Sequence, residues 1–231
     1  MKIIGLLPWA DWLALVVFFG AWAAYAWFAK FWGRRRPSLM ATTARYRRAW
    51  MLQSTSRDPR VLDGIITQSL STSPAFFAST SIFVIGALFA LLGTTDKAAE
   101  LVREFPFAQA TPMLVFEFKI LVLVGIFVYA FFRFTWSMRQ YVIAGVLVGA
   151  MPAPEQLATE AHDRDRIAER TADLLGLAAD TFNDGLRSYY FSFAALGWFF
   201  SPLAFMVATA LVILILYSRE FRSDVLQVLR D

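Results

Sequence analysis

Long apolar stretches dominate the chain and alternate with shorter polar or charged segments. Four of them reach the roughly 20 residues that a helix needs to cross a bilayer. They lie at residues 9–29, 75–93, 112–134 and 189–217. Residues 37–72 and 155–184 carry apolar side chains at helical spacing among charges. The pattern predicts an all-α integral membrane protein with four transmembrane helices and cytoplasmic amphipathic helices, in one membrane domain over residues 1–231.

The longest apolar stretch starts with a helix signal. Thr111 can cap a helix, and Pro112 fits its first turn because the N–H that proline lacks would be unpaired there. Residues 112–133 then measure about 31 Å at roughly 1.5 Å per residue, which matches the hydrocarbon thickness. The next apolar piece, residues 141–151, is too short to cross, so it extends the helix, packs under the bundle or re-enters the membrane.

Two other prolines are expected to shape the spans. Ser73 and Pro74 repeat the helix-start signal before the second stretch. Pro202 lies in the middle of the fourth stretch, where we expect it to kink the helix. Ser201 or Thr209 would then help to satisfy the freed carbonyl groups.

Basic residues are unevenly distributed among the polar segments. Nine lie between the first and second stretches and six lie from Arg133, at the end of the third stretch, to Arg187, before the fourth, against six in the segments on the other side. Because Lys and Arg concentrate on the cytoplasmic side of membrane proteins, we predict four spans with both termini outside. Three arginines after the last stretch run against this rule: Arg219, Arg222 and Arg230.

Composition narrows the chemistry that the chain can perform. It has no cysteine and one histidine, which excludes disulfides, thiol chemistry, iron–sulfur clusters and multi-histidine metal sites. The net charge of +4 arises beside the spans, so it does not indicate nucleic-acid binding. We expect no enzyme activity, no cofactor and no metal. The expected partners are the lipid bilayer and either a second copy of the chain or another membrane protein.

Three charged residues within the apolar stretches form a candidate intramembrane polar site: Asp11, Glu117 and Lys119. Charges in hydrocarbon are costly unless they are paired, reach the headgroups or face a polar interior. Glu117 and Lys119 point in different directions on a helix. We expect Lys119 to pair with Asp11, and Glu117 to face an interior hydroxyl or a subunit interface. Alternatively, Glu117 favours the positive end of its helix and Lys119 snorkels to the headgroups.

Small and hydroxyl-bearing residues recur every seven positions around the second stretch, which places them on one helix face. Two adjacent series contain Thr72 with Ser79 and Ser73 with Thr80. Such a face either packs against another helix or lines a polar path.

Several segments together carry a family resemblance. They are FFASTS at residues 76–81, YAFFRFTW at 129–136, FNDGLR at 182–187 with Tyr189, Tyr190 and Phe191, and REFR at 219–222. The chain resembles domain-of-unknown-function family 599, polytopic membrane proteins of bacteria and plants, from Asp11 to Ser223. The resemblance implies a four-helix protein of the bacterial inner membrane and supplies no activity. The sequence departs from the family pattern at Thr181 and Asp184, where the family has a histidine and a basic residue.

The resemblance also makes Asn183 and Arg187 candidate anchors at the cytoplasmic interface. Their expected hydrogen-bonding region is that of Arg133 and Arg139, which lie beside an aromatic collar at the end of the third span.

Three functions fit this pattern. A homo-oligomeric channel or transporter comes first, because of the hydroxyl face, the intramembrane charges and the expected kink at Pro202. A scaffold or an accessory subunit of a larger membrane complex is the alternative, since the chain lacks a cofactor ligand set and has extensive aromatic surface. A lipid-modifying enzyme comes third, because only Asp11 and Glu117 are placed to act as an acid or base near the headgroups.

Overall fold

A computed structural model describes residues 7–32, 38–95, 112–159 and 161–229. No strand occurs in these ranges, so the all-α prediction is confirmed for them. The helices are α1 (Trp9–Trp32), α2 (Leu39–Ser54), α3 (Val61–Leu92), α4 (Met113–Gly149), α5 (Pro154–Thr159), α6 (Ala161–Leu196), α7 (Pro202–Phe221) and α8 (Asp224–Val228). Among the described residues, four helical segments are long and apolar enough to cross a membrane: Trp9–Phe31, Val61–Leu92, Met113–Gly149 and Pro202–Val228.

Helix α4 is central, because it packs against α3 and against α6 along much of its length. Its buried side chains recur every three or four residues, as at Ala130, Phe134, Ser137 and Tyr141. This spacing keeps one stripe of the helix facing its neighbours. Helix α7 packs against α6 and α1, and α2 packs against α6. The contacts therefore run in the order α3, α4, α6, α7 and α1, with α2 attached to α6.

Residues 141–149 extend α4 rather than re-entering the membrane. Tyr141, Ala144 and Val148 are buried in an apolar cluster shared with α2 and α6. At the other end, Pro112 occupies the position before the first helical residue, one place earlier than expected. The predicted cap, Thr111, lies outside the described residues.

The predicted helix start at Ser73 and Pro74 is wrong, since α3 begins at Val61 and passes through Pro74 without a break. A proline inside a helix removes one backbone hydrogen bond and usually kinks or ends it. Membrane helices nevertheless tolerate such prolines when packing compensates. Pro74 is buried here, and Thr67, two turns earlier, packs against the α4 backbone at Gly145.

The fourth expected span is not one helix. Helix α6 continues to Leu196, so the amphipathic segment and the start of the expected span form a single element. The chain then turns through a 3₁₀ segment, Gly197–Phe199. Ser201 caps α7, its Oγ accepting a hydrogen bond from the Ala204 amide at 3.0 Å. Pro202 therefore starts a helix instead of kinking one, and Ser201 satisfies an amide rather than a carbonyl.

Buried polar contacts fix the corner between α2 and α3. Arg60 donates hydrogen bonds to the carbonyl groups of Met151 and Pro152, at 3.0 and 2.7 Å, and so ties the corner to the end of α4. The carboxylate of Asp63 is fully buried and accepts hydrogen bonds from Trp50 and Arg57. These contacts hold α2 against the ends of α3 and α4.

The two ends of the described chain lie at opposite ends of the bundle. Asp11, near the start of α1, contacts Trp198 in the turn before α7. We call this the Trp198 end. Leu229, after α8, accepts a hydrogen bond from Tyr46 of α2 at the other end, which we call the basic end. The prediction that both termini share one side is therefore wrong for the ends that the structure describes.

Candidate functional site

A cleft of about 1040 Å³ opens near the basic end, between the last turns of α1, helix α2, the middle of α4 and helix α6. Its cationic side chains are those of Lys30, Arg45, Arg47, Arg48, Arg133 and Arg187. Its carboxylates are those of Glu169, Asp173, Asp180 and Asp184. The cationic groups outnumber the acidic ones, six against four, so the lining carries net positive charge.

One ion-pair network crosses the cleft from α4 to α6. Asp184 pairs with Arg133 and, through its other carboxylate oxygen at 3.0 Å, with Arg187. Asp184 and Arg187 share a helix face because they are three residues apart. The guanidinium of Arg187 also lies 5.8 Å from the centre of the Tyr25 ring, which ties α1 to the network. The walls of the cleft are thus held by contacts between three helices.

Arg47 of α2 presents a half-buried cationic group to the cleft. Burial lowers the pKa of its guanidinium, and the nearby carboxylate of Asp180 opposes this effect. The Nε atoms of Arg47 and Arg133 are both buried without a hydrogen-bond partner in the described ranges. Because buried donors are normally paired, these two atoms are exceptions to the usual pattern.

A smaller cavity of about 260 Å³ adjoins the cleft and shares Arg47 and Arg187 with it. Asn183 of α6 lines this cavity, as do Tyr190 and Arg219. Arg219 of α7 donates a hydrogen bond to the Tyr190 hydroxyl. Polar groups therefore continue from the cleft toward α7.

A polar cluster lies at the Trp198 end, where α1, α4 and the turn before α7 meet. The indole of Trp198 donates a hydrogen bond to Asp11 at 2.5 Å, and Lys119 donates one to the Trp198 carbonyl at 2.8 Å. Asp11 is 6% exposed and Lys119 is 4% exposed. Both charges are committed to holding the turn, which leaves neither placed as an acid or base for an external substrate.

In the described ranges, no three potential metal ligands from His, Asp or Glu lie together. The cationic lining of the cleft suits an anion with several oxygen atoms.

A family model described as "Protein of unknown function, DUF599" matches residues 13–225. The chain belongs to this family. The match includes every residue that lines the cleft, together with Lys119 and Trp198, but it begins after Asp11. Comparisons with the curated proteins and with the solved structures found no match. The family description assigns no activity, so the function of the DUF599 protein has to be argued from its geometry.

The structure brings the expected pair, Lys119 and Asp11, to one place, but each contacts Trp198, and they form no direct ion pair. Lys119 is buried and therefore does not snorkel to the headgroups. Glu117 is half-buried, and it makes no hydrogen bond or ion pair with another described residue. The structure thus brings two of the three predicted intramembrane charges, Asp11 and Lys119, to the same residue, Trp198.

The small-residue face of α3 turns away from the rest of the DUF599 protein. The four predicted residues are exposed or half-buried: Thr72, Ser73, Ser79 and Thr80. A neighbouring residue, Ser81, reaches another helix instead, and its hydroxyl lies 3.0 Å from that of Tyr189. This face neither packs against a described helix of the same chain nor lines the cavities.

The predicted anchors divide into two groups. Arg133 and Arg187 meet at Asp184, and Asn183 lies beside them in the smaller cavity. Arg139 is exposed and lines neither cavity.

Sequence reasoning missed the cleft of the DUF599 protein and the role of Trp198. The acidic and basic residues along α6 are typical of a solvated face or of one that meets the basic segment after the first span, and no signal in the sequence showed which of them would face α1 and α2. Trp198 stands in an apolar run, where an indole is usually an interfacial anchor.

Proposed function

We propose that this DUF599 protein is a multi-pass protein of the bacterial inner membrane that binds an anionic, phosphate-bearing ligand in the basic cleft. It would act as a transporter-like binding protein and would not catalyse a reaction on the ligand. The observation that carries the proposal is the cleft itself, with its excess of cationic side chains over carboxylates. Its volume of about 1040 Å³ is at the upper end of the usual range for small-molecule sites.

Arginine suits phosphate for a geometric reason. Its planar guanidinium presents several N–H donors in a fork that matches two phosphate oxygens. Helix α2 carries three closely spaced arginines, Arg45, Arg47 and Arg48. Arg187 faces them from α6. A phosphate group held between these helices would satisfy donors that the carboxylates of the cleft leave unpaired.

The basic end is proposed to face the cytoplasm. Every basic residue that the structure describes, except Lys119, lies toward this end. The positive-inside rule favours that orientation. Between the cleft and the Trp198 end, the rings of Phe18, Phe191 and Phe205 pack together in the apolar core. Passage of a ligand through one copy would therefore need movement of the α6–α7 hairpin.

The first test measures binding of glycerol phosphate, a water-soluble phosphate ester, to the full chain in nanodiscs by isothermal titration calorimetry. We expect saturable binding, and we expect the double substitution Lys30→Gln and Arg45→Gln to weaken it about tenfold, or about 1.4 kcal/mol. Both side chains are exposed, so the fold should tolerate the change. Arg139→Gln is the matched control, because Arg139 lies outside the cleft. Absence of saturable binding, or an equal loss in the control, would overturn the proposal.

A homo-oligomeric channel is the second candidate, and one observation favours it. The small-residue face of α3 is exposed along the helix, and nothing lies within 4 Å of a Cβ placed on Gly86. A second copy could approach closely there. Native mass spectrometry after gentle extraction decides the matter: a symmetric homo-oligomer would support this candidate, whereas a complex with another protein would support a scaffold or accessory subunit.

A further inference from the structure

The cleft has an opening on the side that faces away from the bundle. Helix α1 packs mainly against α7, and its contact with α4 includes an edge-to-face pair of rings, Trp22 and Tyr129, at 5.7 Å. Beyond this pair, Trp27 and Phe31 of α1 are 59% and 54% exposed. The cleft is therefore open between α1 and α4, on an apolar face of the protein.

Both sides of this opening change from apolar to cationic within about one helical turn. On α1 the lining passes from Ala26 to Lys30, and on α4 it passes from Tyr129 to Arg133. Each change takes four residues, or about 6 Å along the helix. An aromatic and aliphatic zone followed by cations within one turn is the pattern that membrane proteins show where hydrocarbon meets headgroups. The opening thus has the same polarity gradient as a lipid leaflet.

The interior of the cleft leaves space between its charges. Small residues from three helices line it: Ala29, Ala41, Ala44, Ala172 and Gly176. A Cβ placed on Gly176 would meet the Arg47 guanidinium at 3.9 Å, which is ordinary contact, so the cationic group lies directly over the small residue. Larger side chains at these positions would close the cleft. The protein instead combines an apolar entrance with a cationic interior of headgroup dimensions.

We propose that the ligand of the cleft is an anionic phospholipid that enters sideways between α1 and α4. Its phosphate lies among the arginines of α2 and α6, and its acyl chains stay outside against Trp27 and Tyr129. This inference rests on the proposed function, because it names the ligand class of the same cleft. A soluble phosphate ester would share the headgroup chemistry, but it would have no use for an apolar side entrance.

The test compares lipid retention by native mass spectrometry. The full chain is reconstituted in nanodiscs that contain equal amounts of phosphatidylglycerol, which is anionic, and phosphatidylcholine, which is zwitterionic. We expect the protein to retain phosphatidylglycerol at least fivefold over phosphatidylcholine. Ala26→Trp should abolish this preference by filling the entrance. Ala24→Trp is the matched control, because Ala24 is exposed on α1 and does not line the cleft.

A second variant covers the case in which a tryptophan at Ala26 disturbs the helix. Lys30→Glu reverses the charge at the entrance on an exposed side chain, and it should reduce the phosphatidylglycerol preference at least threefold. Arg139→Glu should leave the preference unchanged.

Equal retention of the two lipids, or equal effects of Ala26→Trp and Ala24→Trp, would overturn the lipid proposal. If glycerol phosphate still bound in that case, the proposed anion-binding function would stand and the ligand would be water-soluble. If neither the lipid nor glycerol phosphate bound, both proposals would fail.

Discussion

Trp198 connects two buried charges that have no other described partner close enough for an ion pair. Its indole N–H binds Asp11, and its backbone carbonyl binds Lys119, whose ammonium also lies 5.3 Å from the centre of the indole ring. A buried polar group without a partner costs about 1–3 kcal/mol, and more if it is charged. In the turn before α7, the backbone carbonyl of Trp198 is thereby satisfied by the Lys119 ammonium.

We predict that Trp198→Phe destabilises the protein by about 2 kcal/mol or more, because it removes the indole N–H that binds the Asp11 carboxylate and leaves a cavity beside the smaller buried ring. For a chain of this size, the loss corresponds to roughly 4–8 °C in thermal midpoint. Differential scanning fluorimetry in detergent would measure it. Trp136→Phe is the control, since Trp136 is exposed and should change the midpoint little. Equal midpoints for Trp198→Phe and the unmodified protein would show that the hydrogen bond to Asp11 is not needed.

Individual residues show which side-chain contacts could be predicted from the sequence. That Asp11 and Lys119 would come together followed from the cost of burying charges, and the structure places both on Trp198. The mediating indole could not be foreseen, because the pattern of an apolar run does not tell which of its polar atoms will face a neighbour. For the same reason, nothing in the sequence indicated that Arg47 and Asp184 would line one cleft between α1, α2 and α6.

Helix α6 shows why the division into elements was only partly predictable. Its first half is amphipathic and its second half apolar, and a change of composition was taken as a boundary between helices. The helix nevertheless continues across this change and ends at Leu196. The next residue is Gly197, where a Cβ would lie 3.1 Å from the Ala204 carbonyl oxygen. The two prolines also have different positions in their helices. Pro74 is packed inside α3, which continues through it, whereas Pro202 follows a capping serine and begins α7.

The packing of α6 against α4 depends on Gly185. A Cβ at this position would lie 2.5 Å from Cε1 of Phe134. The Phe134 ring cannot shift easily, because it stacks on Phe77 and meets Tyr189 edge to face. The glycine therefore permits the close approach of the two helices beside the ion pairs of the cleft.

We predict opposite effects for two glycine substitutions within helices. Gly185→Ala should destabilise the protein by about 1–3 kcal/mol through overpacking against Phe134. Gly125→Ala on α4 should stabilise it by about 0.5–1 kcal/mol, because nothing lies within 4 Å of the added Cβ and alanine favours helix. Thermal midpoints measured in the same detergent would compare them. A midpoint for Gly185→Ala at or above that of the unmodified protein would contradict the close approach.

The placement of α6 determines the topology of the whole molecule. Because α6 runs from the basic end to the Trp198 end and α7 returns, the chain passes between the ends five times in the order α1, α3, α4, α6 and α7. The sequence was read as four passes because residues 189–217 form one apolar stretch in which Pro202 was expected to kink a single helix. The extra pass moves Arg219 and Arg222 to the basic end, which removes the conflict with the positive-inside rule.

This topology predicts which residues a membrane-impermeant maleimide can reach. The chain has no cysteine, so single cysteines can be introduced without a background. Thr94, Ser56 and Gln227 are exposed, and they lie after α3, in the corner between α2 and α3, and in α8. We expect Thr94→Cys to react from outside intact cells, whereas Ser56→Cys and Gln227→Cys should react only after the membrane is permeabilised. Reaction of Gln227→Cys together with Thr94→Cys in intact cells would place α8 on the outer side and would contradict the return of α7 to the basic end.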